Sequence, residues 1–300
     1  MKTNTSPNKD LYAQVTDSII AVMESGKTSH LTWAQSGDSL PRNHQTGTAY
    51  QGVNVLLLWA EAMSRGYTSA RWLTYRQAAE MGGQVRKGEK SVTCIFFKTL
   101  ERESENEGDN TEKADSIRLI KPFWLFNLDQ IDGIEKPQAA EPRNEFQQID
   151  AAEKVLIHSG AVIHEAGENA FYRPSTDEIY LPERTRFASE IEFYSVALHE
   201  LTHWTGAQHR LARDFAKRFG TEARAFEELI AELGSAFLNA ELGFSAATIP
   251  NHAGYIESWL KVLKNDKRAI FTAASQASQA HRYIMDLVDG VEGTREQKVA

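Results

Sequence analysis

A chain of 300 residues, 41% apolar and 25% charged, can fill two ordinary domains and has the balance of a soluble globular protein. No apolar run approaches the ~18 residues that span a bilayer, the polar start MKTNTSPNKD lacks a signal peptide's apolar stretch, and the single cysteine, Cys94, excludes a disulfide framework; a cytoplasmic protein with no membrane partner is expected. A net charge of −8 excludes a uniformly basic nucleic-acid binder.

The charge is unevenly spread. Residues 1–98 hold 11 Lys/Arg against 7 Asp/Glu, a net of +4, whereas residues 101–116 hold 2 against 7, a net of −5. The first third is thus a mildly basic unit on an acidic chain.

In chain order, Leu11, Val15, Ile19 and Val22 recur at helical spacing over 10–25. Residues 53–64 read as a buried helix stopped before Gly66, 72–75 as a short strand and 76–81 as a short helix ending at Gly82-Gly83. The β-branched and aromatic run 92–98 predicts a strand, the acidic stretch 101–116 a solvated loop, and 117–127 a returning strand. Residues 131–146, with Gly133, Pro137 and Pro142, form the expected linker. Beyond it come a helix at 148–159, short strands at 161–164 and 178–181 around a turn at 172–177, and helices near 188–205, 221–242, 251–265 and 267–288. The expected class is therefore α+β with two domains. One, 1–130, is mixed α/β; the other, 147–300, is mostly helical.

The stretch His199-Glu200-Leu201-Thr202-His203 carries the clearest chemistry. Four residues apart on a helix, two imidazoles share one face and can bind one Zn²⁺, with Glu200 beside the metal as a general base. Ile191, Tyr194, Leu198 and Leu201 form an apolar stripe to anchor that helix. A third ligand is required. Glu228 lies on the helix 221–242 with Glu232 four residues on, so that one can bind zinc while the other orients a ligand histidine. His209 competes, because His199 to His209 reads HELTHWTGAQH, the metzincin spacing; that reading lacks a Met-turn, and Glu228 is favoured. His252 and Tyr255 are candidates for stabilising an oxyanion.

The N-terminal unit interleaves aromatics with cations, among them Trp33, Arg42, Tyr50, Trp72, Tyr75, Arg86, Lys87 and Lys90. Such a mixture suits single-stranded nucleic acid, since rings stack on bases while cations pair with phosphates. A core role for most of the rings accounts for the same composition.

Several stretches carry a family resemblance. Asn43-His-Gln-Thr-Gly47, Tyr50-Gln-Gly-Val-Asn54, Trp72-Leu-Thr-Tyr75 and Gly83-Gln-Val-Arg-Lys-Gly-Glu-Lys90 resemble the N-terminal domain of ArdC-type antirestriction proteins. HELTHWTG (199–206), FEELIAELGSAFL (226–238) and the run 251–277 resemble their zincin-like metallopeptidase domain. The resemblance implies a plasmid-borne protein that binds single-stranded DNA and protects incoming conjugative DNA from restriction; Asn43 and Asn54 join Arg42, Tyr50 and the other residues above as expected contacts. It also implies Glu228 as third zinc ligand and leaves open a host protein as substrate.

Overall fold

The computed structural model describes residues 10–24, 40–101, 116–136, 145–215, 219–244 and 253–299. Helix α1 (Leu11–Glu24) buries Val15, Ile19 and Met23, the stripe its four-residue spacing dictates. Its partners are distant in sequence. The Tyr12 ring lies 4.8 Å from Phe271, and the Thr16 hydroxyl donates to the Lys267 carbonyl at 2.7 Å.

Strands β1 (Arg42–Asn43), β2 (Arg71–Leu73), β4 (Val92–Glu101) and β5 (Ser116–Asn127) form a sheet in the order β1-β2-β5-β4. Helix α2 (Val53–Arg65) packs Leu58 and Ala62 on one face, against Trp72, Cys94 and Leu125, and ends where Gly66 takes the left-handed conformation (φ 67°). Helix α3 (Tyr75–Glu80) starts on a capping box, Thr74 accepting from the Gln77 amide, so Tyr75 opens a helix instead of closing the expected strand. It sits with β3 (Gln84–Val85) and β6 (Ile131–Asp132) on a small core of Leu73, Ala78, Val85, Leu128 and Ile131. Of the expected acidic loop at 101–116, the ends Glu101 and Ser116 belong to β4 and β5, while 102–115 and the middle of the expected linker, 137–144, lie outside the described residues.

The second half begins with α4 (Glu145–Ser159) and a three-stranded sheet, β7 (Val162–Glu165), β8 (Phe171–Arg173) and β9 (Glu178–Leu181), in the order β7-β9-β8. Strand β8 replaces part of the expected turn: Tyr172 and Arg173 pair with Ile179 and Glu178, and only 174–177 turn. Helices α5 (Glu190–Trp204), α6 (Ala223–Leu242), α7 (Ala253–Asn265) and α8 (Ala269–Val299) complete it. The two halves share a core, in which Ile19, Leu56, Trp59 and Ile95 join Phe226, Phe237, Trp259 and Ile270, with the Trp59 and Phe237 rings 5.7 Å apart.

Candidate metal centre and nucleic-acid face

Helix α5 is held from three directions. Ser189 caps it by accepting from the Glu192 amide at 3.2 Å, and Glu190 and Glu192 suit the positive end of its dipole. Phe193, Ala197, Leu198 and Leu201 bury one side. Helix α6 crosses the other very closely, because Gly234 lies against Thr202: a Cβ there would stand 2.5 Å from the Thr202 methyl. Ser235 donates to the Ser195 carbonyl at 3.1 Å across the same seam.

This close crossing sets α6 carboxylates against the α5 imidazoles. The rings of His199 and His203 are 4.9 Å apart. Both Nε2 atoms face one oxygen, Glu228 Oε2, at 3.4 and 3.5 Å. A tetrahedral ion with ~2.0–2.1 Å bonds separates its ligand atoms by about 3.3 Å, so the triad is spaced to share one. Among the described residues it is the one His/Cys/Asp/Glu group so arranged. The Nδ1 atoms face a second row of carboxylates, His199 toward Glu232 at 3.5 Å and His203 toward Glu227 at 3.4 Å. Glu227 in turn receives Arg213 Nη2 at 2.6 Å.

The electrostatics are those of a cation seat. Burial opposes charge on both histidines, yet donation to the Glu228 and Glu232 carboxylates lifts His199 to about 10, and donation to Glu227 and Glu228 raises His203. Burial likewise opposes charge on Glu228, but the two histidines hold its carboxyl well below the usual range. Glu200 is buried and, with both histidines, lines a cleft of about 1090 Å³ bordered by β8 and by Phe187, Phe215 and Trp259.

His209 is not brought to the triad. Its side chain is 64% exposed and its Nε2 lies 3.3 Å from Asp177 Oδ2, because the chain leaves α5 in a turn that carries it to the β8–β9 corner. The metzincin ligand set is therefore not formed. His252 lies outside the described residues, as does the side chain of Tyr255 in the first turn of α7. Sequence reasoning missed Glu227 and Arg213; the doubled glutamate 227–228 was a signal, but which of the two faces Nε2 depends on helix rotation.

In the N-terminal unit, several expected DNA contacts have partners within the fold. Trp72 is 1% exposed between α2 and the sheet, leaving no free face for a base. The Asn54 amide is consumed by the backbone of Ile95, donating to its carbonyl at 2.8 Å and accepting its N–H at 2.9 Å. Arg42 makes a two-pronged pair with Glu241 of α6 at 2.9 and 3.0 Å. Asn43 donates to Tyr50 Oη and Gln77 Oε1 while accepting the amides of Gln45 and Thr46. Tyr50 is half-buried, its hydroxyl pushed up to about 12 by burial. Arg86 is held by Glu89 and Asp132. Trp33 lies outside the described residues.

Tyr75, Lys87 and Lys90 remain exposed. Tyr75 (55% exposed) packs edge-on to Phe126 at 6.3 Å, and two residues along β5, on the same sheet face, stands Trp124 (54% exposed). Trp124 was missed because the run Phe123-Trp-Leu-Phe126 does not reveal which ring faces outward.

With this geometry in view, the comparisons with known proteins are decisive. Residues 9–126 match the N-terminal domain of anti-restriction factor ArdC, and 150–276 match a zincin-like metallopeptidase. An uncharacterized protein of Sinorhizobium fredii, y4eC, is 41% identical over 93% of both chains. The crystal structure of the antirestriction ArdC protein from plasmid R388 in its metal-free form is 39% identical, covers 94% of this chain and 98% of that one, and superposes with a TM-score of 0.79. The chain belongs to the ArdC antirestriction family.

The Mn(II)-bound R388 structure matches with a TM-score of 0.76 at 39% identity, covering 93% of this chain and 98% of that one. A protein named DNA primase TraC from Escherichia coli is 38% identical over 94% of this chain, which spans 20% of that longer protein. The metallopeptidase-like half of this ArdC relative is where His199, His203 and Glu228 meet. No helix among the described residues is long and apolar enough to cross a membrane.

Proposed function

We propose that this ArdC-family chain acts in the cytoplasm to protect incoming conjugative DNA from host restriction, binding single-stranded DNA with its N-terminal half and carrying a zinc-dependent hydrolytic site in its second. The observation that carries the hydrolytic reading is the convergence of His199 Nε2, His203 Nε2 and Glu228 Oε2, with Glu200 lining the same cleft.

Two imidazoles and a carboxylate at tetrahedral spacing suit one zinc ion. When bound, the ion supplies a Lewis acid and a water acidified toward neutrality. His199, His203 and Glu228 would hold that ion, and Glu200 would serve as the general base that accepts a water's proton and returns it to the leaving amine. Glu232, 3.5 Å from His199 Nδ1, is the residue proposed to orient that ring, and a host protein is the proposed substrate class. For the oxyanion we propose His252 and Tyr255, on sequence order alone: they precede Trp259, which lines the cleft.

For DNA, the support is the row Tyr75, Phe126 and Trp124 on one sheet face, with Lys87 and Lys90 in the nearby β3–β4 turn. Successive outward rings along a strand recur about every 6.7 Å, a spacing suited to splayed bases, and stacking tolerates any sequence. Among the described residues neither lysine has a carboxylate partner, leaving both for phosphates. Arg86 joins them only by giving up part of its pairing.

The test is a transfer assay into a restricting host with wild type, Glu200→Gln and Tyr75→Ala/Trp124→Ala, alongside salt-dependent binding to single- and double-stranded DNA. Loss of protection in both variants supports the joint reading. Protection by Glu200→Gln at the wild-type level would refute a hydrolytic role, and undiminished DNA binding by the double variant would refute the sheet face.

A further inference from the structure

The metal-facing atoms of His203 are only one end of a longer chain of contacts. Arg213, nine residues beyond the end of α5, folds back and buries its side chain to 1% exposure. A buried guanidinium needs acceptors for its five N–H groups. It finds them in Glu227, reached by Nε at 3.1 Å and Nη2 at 2.6 Å, in the Thr205 hydroxyl at 2.7 Å and in the Thr202 carbonyl at 2.7 Å. The last two belong to the turn of α5 that carries His203. Glu227 Oε1, the oxygen that receives Nη2, lies 3.4 Å from His203 Nδ1.

Gly206 fits the same arrangement. A Cβ there would meet Arg213 Nη2 at 2.8 Å and Cζ at 3.0 Å, as well as the His203 carbonyl at 3.0 Å. The glycine that follows the histidine motif therefore makes room for the guanidinium.

We infer that Arg213 and Glu227 form a positioning arm that fixes His203 for metal binding. The arm rests on the proposed metal site and adds residues that hold its ligand. Glu227 accepts the Nδ1 proton, which selects the tautomer with a free Nε2 lone pair facing Glu228. Arg213 fixes Glu227 by a two-point contact and ties it to the helix end, so the ring and its partner move as one piece. On the other ligand, His199 Nδ1 faces Glu232, which is buried on α6.

The experiment measures Zn²⁺ affinity by competition with a chromogenic chelator, on metal-stripped full-length protein. The variants are Glu227→Gln, Gly206→Ala and Arg213→Lys, with circular dichroism and melting of the metal-free forms recorded alongside. Outer carboxylates of ligand histidines typically contribute ~10–100-fold in affinity. Glu227→Gln and Gly206→Ala should each weaken zinc binding within that range while keeping the wild-type fold. The Gly206→Ala methyl reaches no metal-facing atom but presses on both the guanidinium and the His203 carbonyl. Arg213→Lys should show a similar loss, since an ammonium cannot reproduce the two-point contact; if it fails to fold, the other two variants decide. Affinities within twofold of wild type for both Glu227→Gln and Gly206→Ala would overturn the arm while leaving the metal site standing. Absence of zinc binding by the wild type would overturn both.

Discussion

Substituting Gly234 by alanine tests whether the α5–α6 crossing builds the candidate metal centre. At an open helix position this change stabilises by ~1 kcal/mol, since alanine is the better helix former. Here the new methyl would stand 2.5 Å from Thr202 Cγ2 and 2.9 Å from Thr202 Oγ1. Thr202 cannot rotate away cheaply: it is fully buried and its hydroxyl donates to the Leu198 carbonyl at 2.8 Å. Overpacking of this kind costs about 1–3 kcal/mol, and so close an approach to a fixed neighbour belongs at the upper end. The net expectation is a loss of roughly 1–2 kcal/mol, with the α6 carboxylates pushed away from the imidazoles and zinc binding weakened in step. Denaturant unfolding and chelator competition on Gly234→Ala, Thr202→Ala and the double variant measure both effects. Removing the Thr202 methyl and hydroxyl relieves the contact, so the double variant should be more stable than the sum of the singles predicts. Stabilisation by Gly234→Ala alone, or strict additivity, refutes the reasoning.

Three further outcomes follow from the same structure. Trp72→Ala should cost about 3–5 kcal/mol of stability as a core deletion, whereas Trp124→Ala should leave the melting curve intact and weaken single-stranded DNA by ~1–3 kcal/mol; thermal melts paired with fluorescence anisotropy separate the two. Adding zinc at about 100 times its dissociation constant should stabilise the metal-stripped protein by ~2.7 kcal/mol, a shift that calorimetry should find absent in His199→Ala. The Arg210 guanidinium holds Asp177 down at about 2, and a carboxyl depressed on folding stabilises fully above its ordinary value of 3.8 and loses that contribution as pH falls toward 2. The stability gap between wild type and Asp177→Asn should therefore close over that acid range, and a gap independent of pH would exclude the pairing.

What was legible in the sequence was whatever depends on local periodicity. The i,i+4 histidines, the stripe of α1 and the apolar faces of α5 and α6 all follow from 3.6 residues per turn, so the helices, the histidine pair and the two-part α+β organisation were readable. Features that depend on rotation or register were not. Phe171–Arg173 is too short to show a strand period, so β8 was hidden in a turn. Trp72 and Trp124 look alike in composition, and only the sheet's faces separate the core ring from the exposed one. Arg42 has its carboxylate partner 199 residues away, a distance no local pattern spans. His209 has the metzincin spacing, but the turn after Trp204 sends it to Asp177.

The most direct test of the proposed metal centre is a calorimetric zinc titration of metal-stripped wild type, Glu228→Gln and His209→Gln. The account predicts one ion per chain for wild type and His209→Gln, with binding lost or severely weakened in Glu228→Gln. Wild-type binding by Glu228→Gln together with loss in His209→Gln would contradict it.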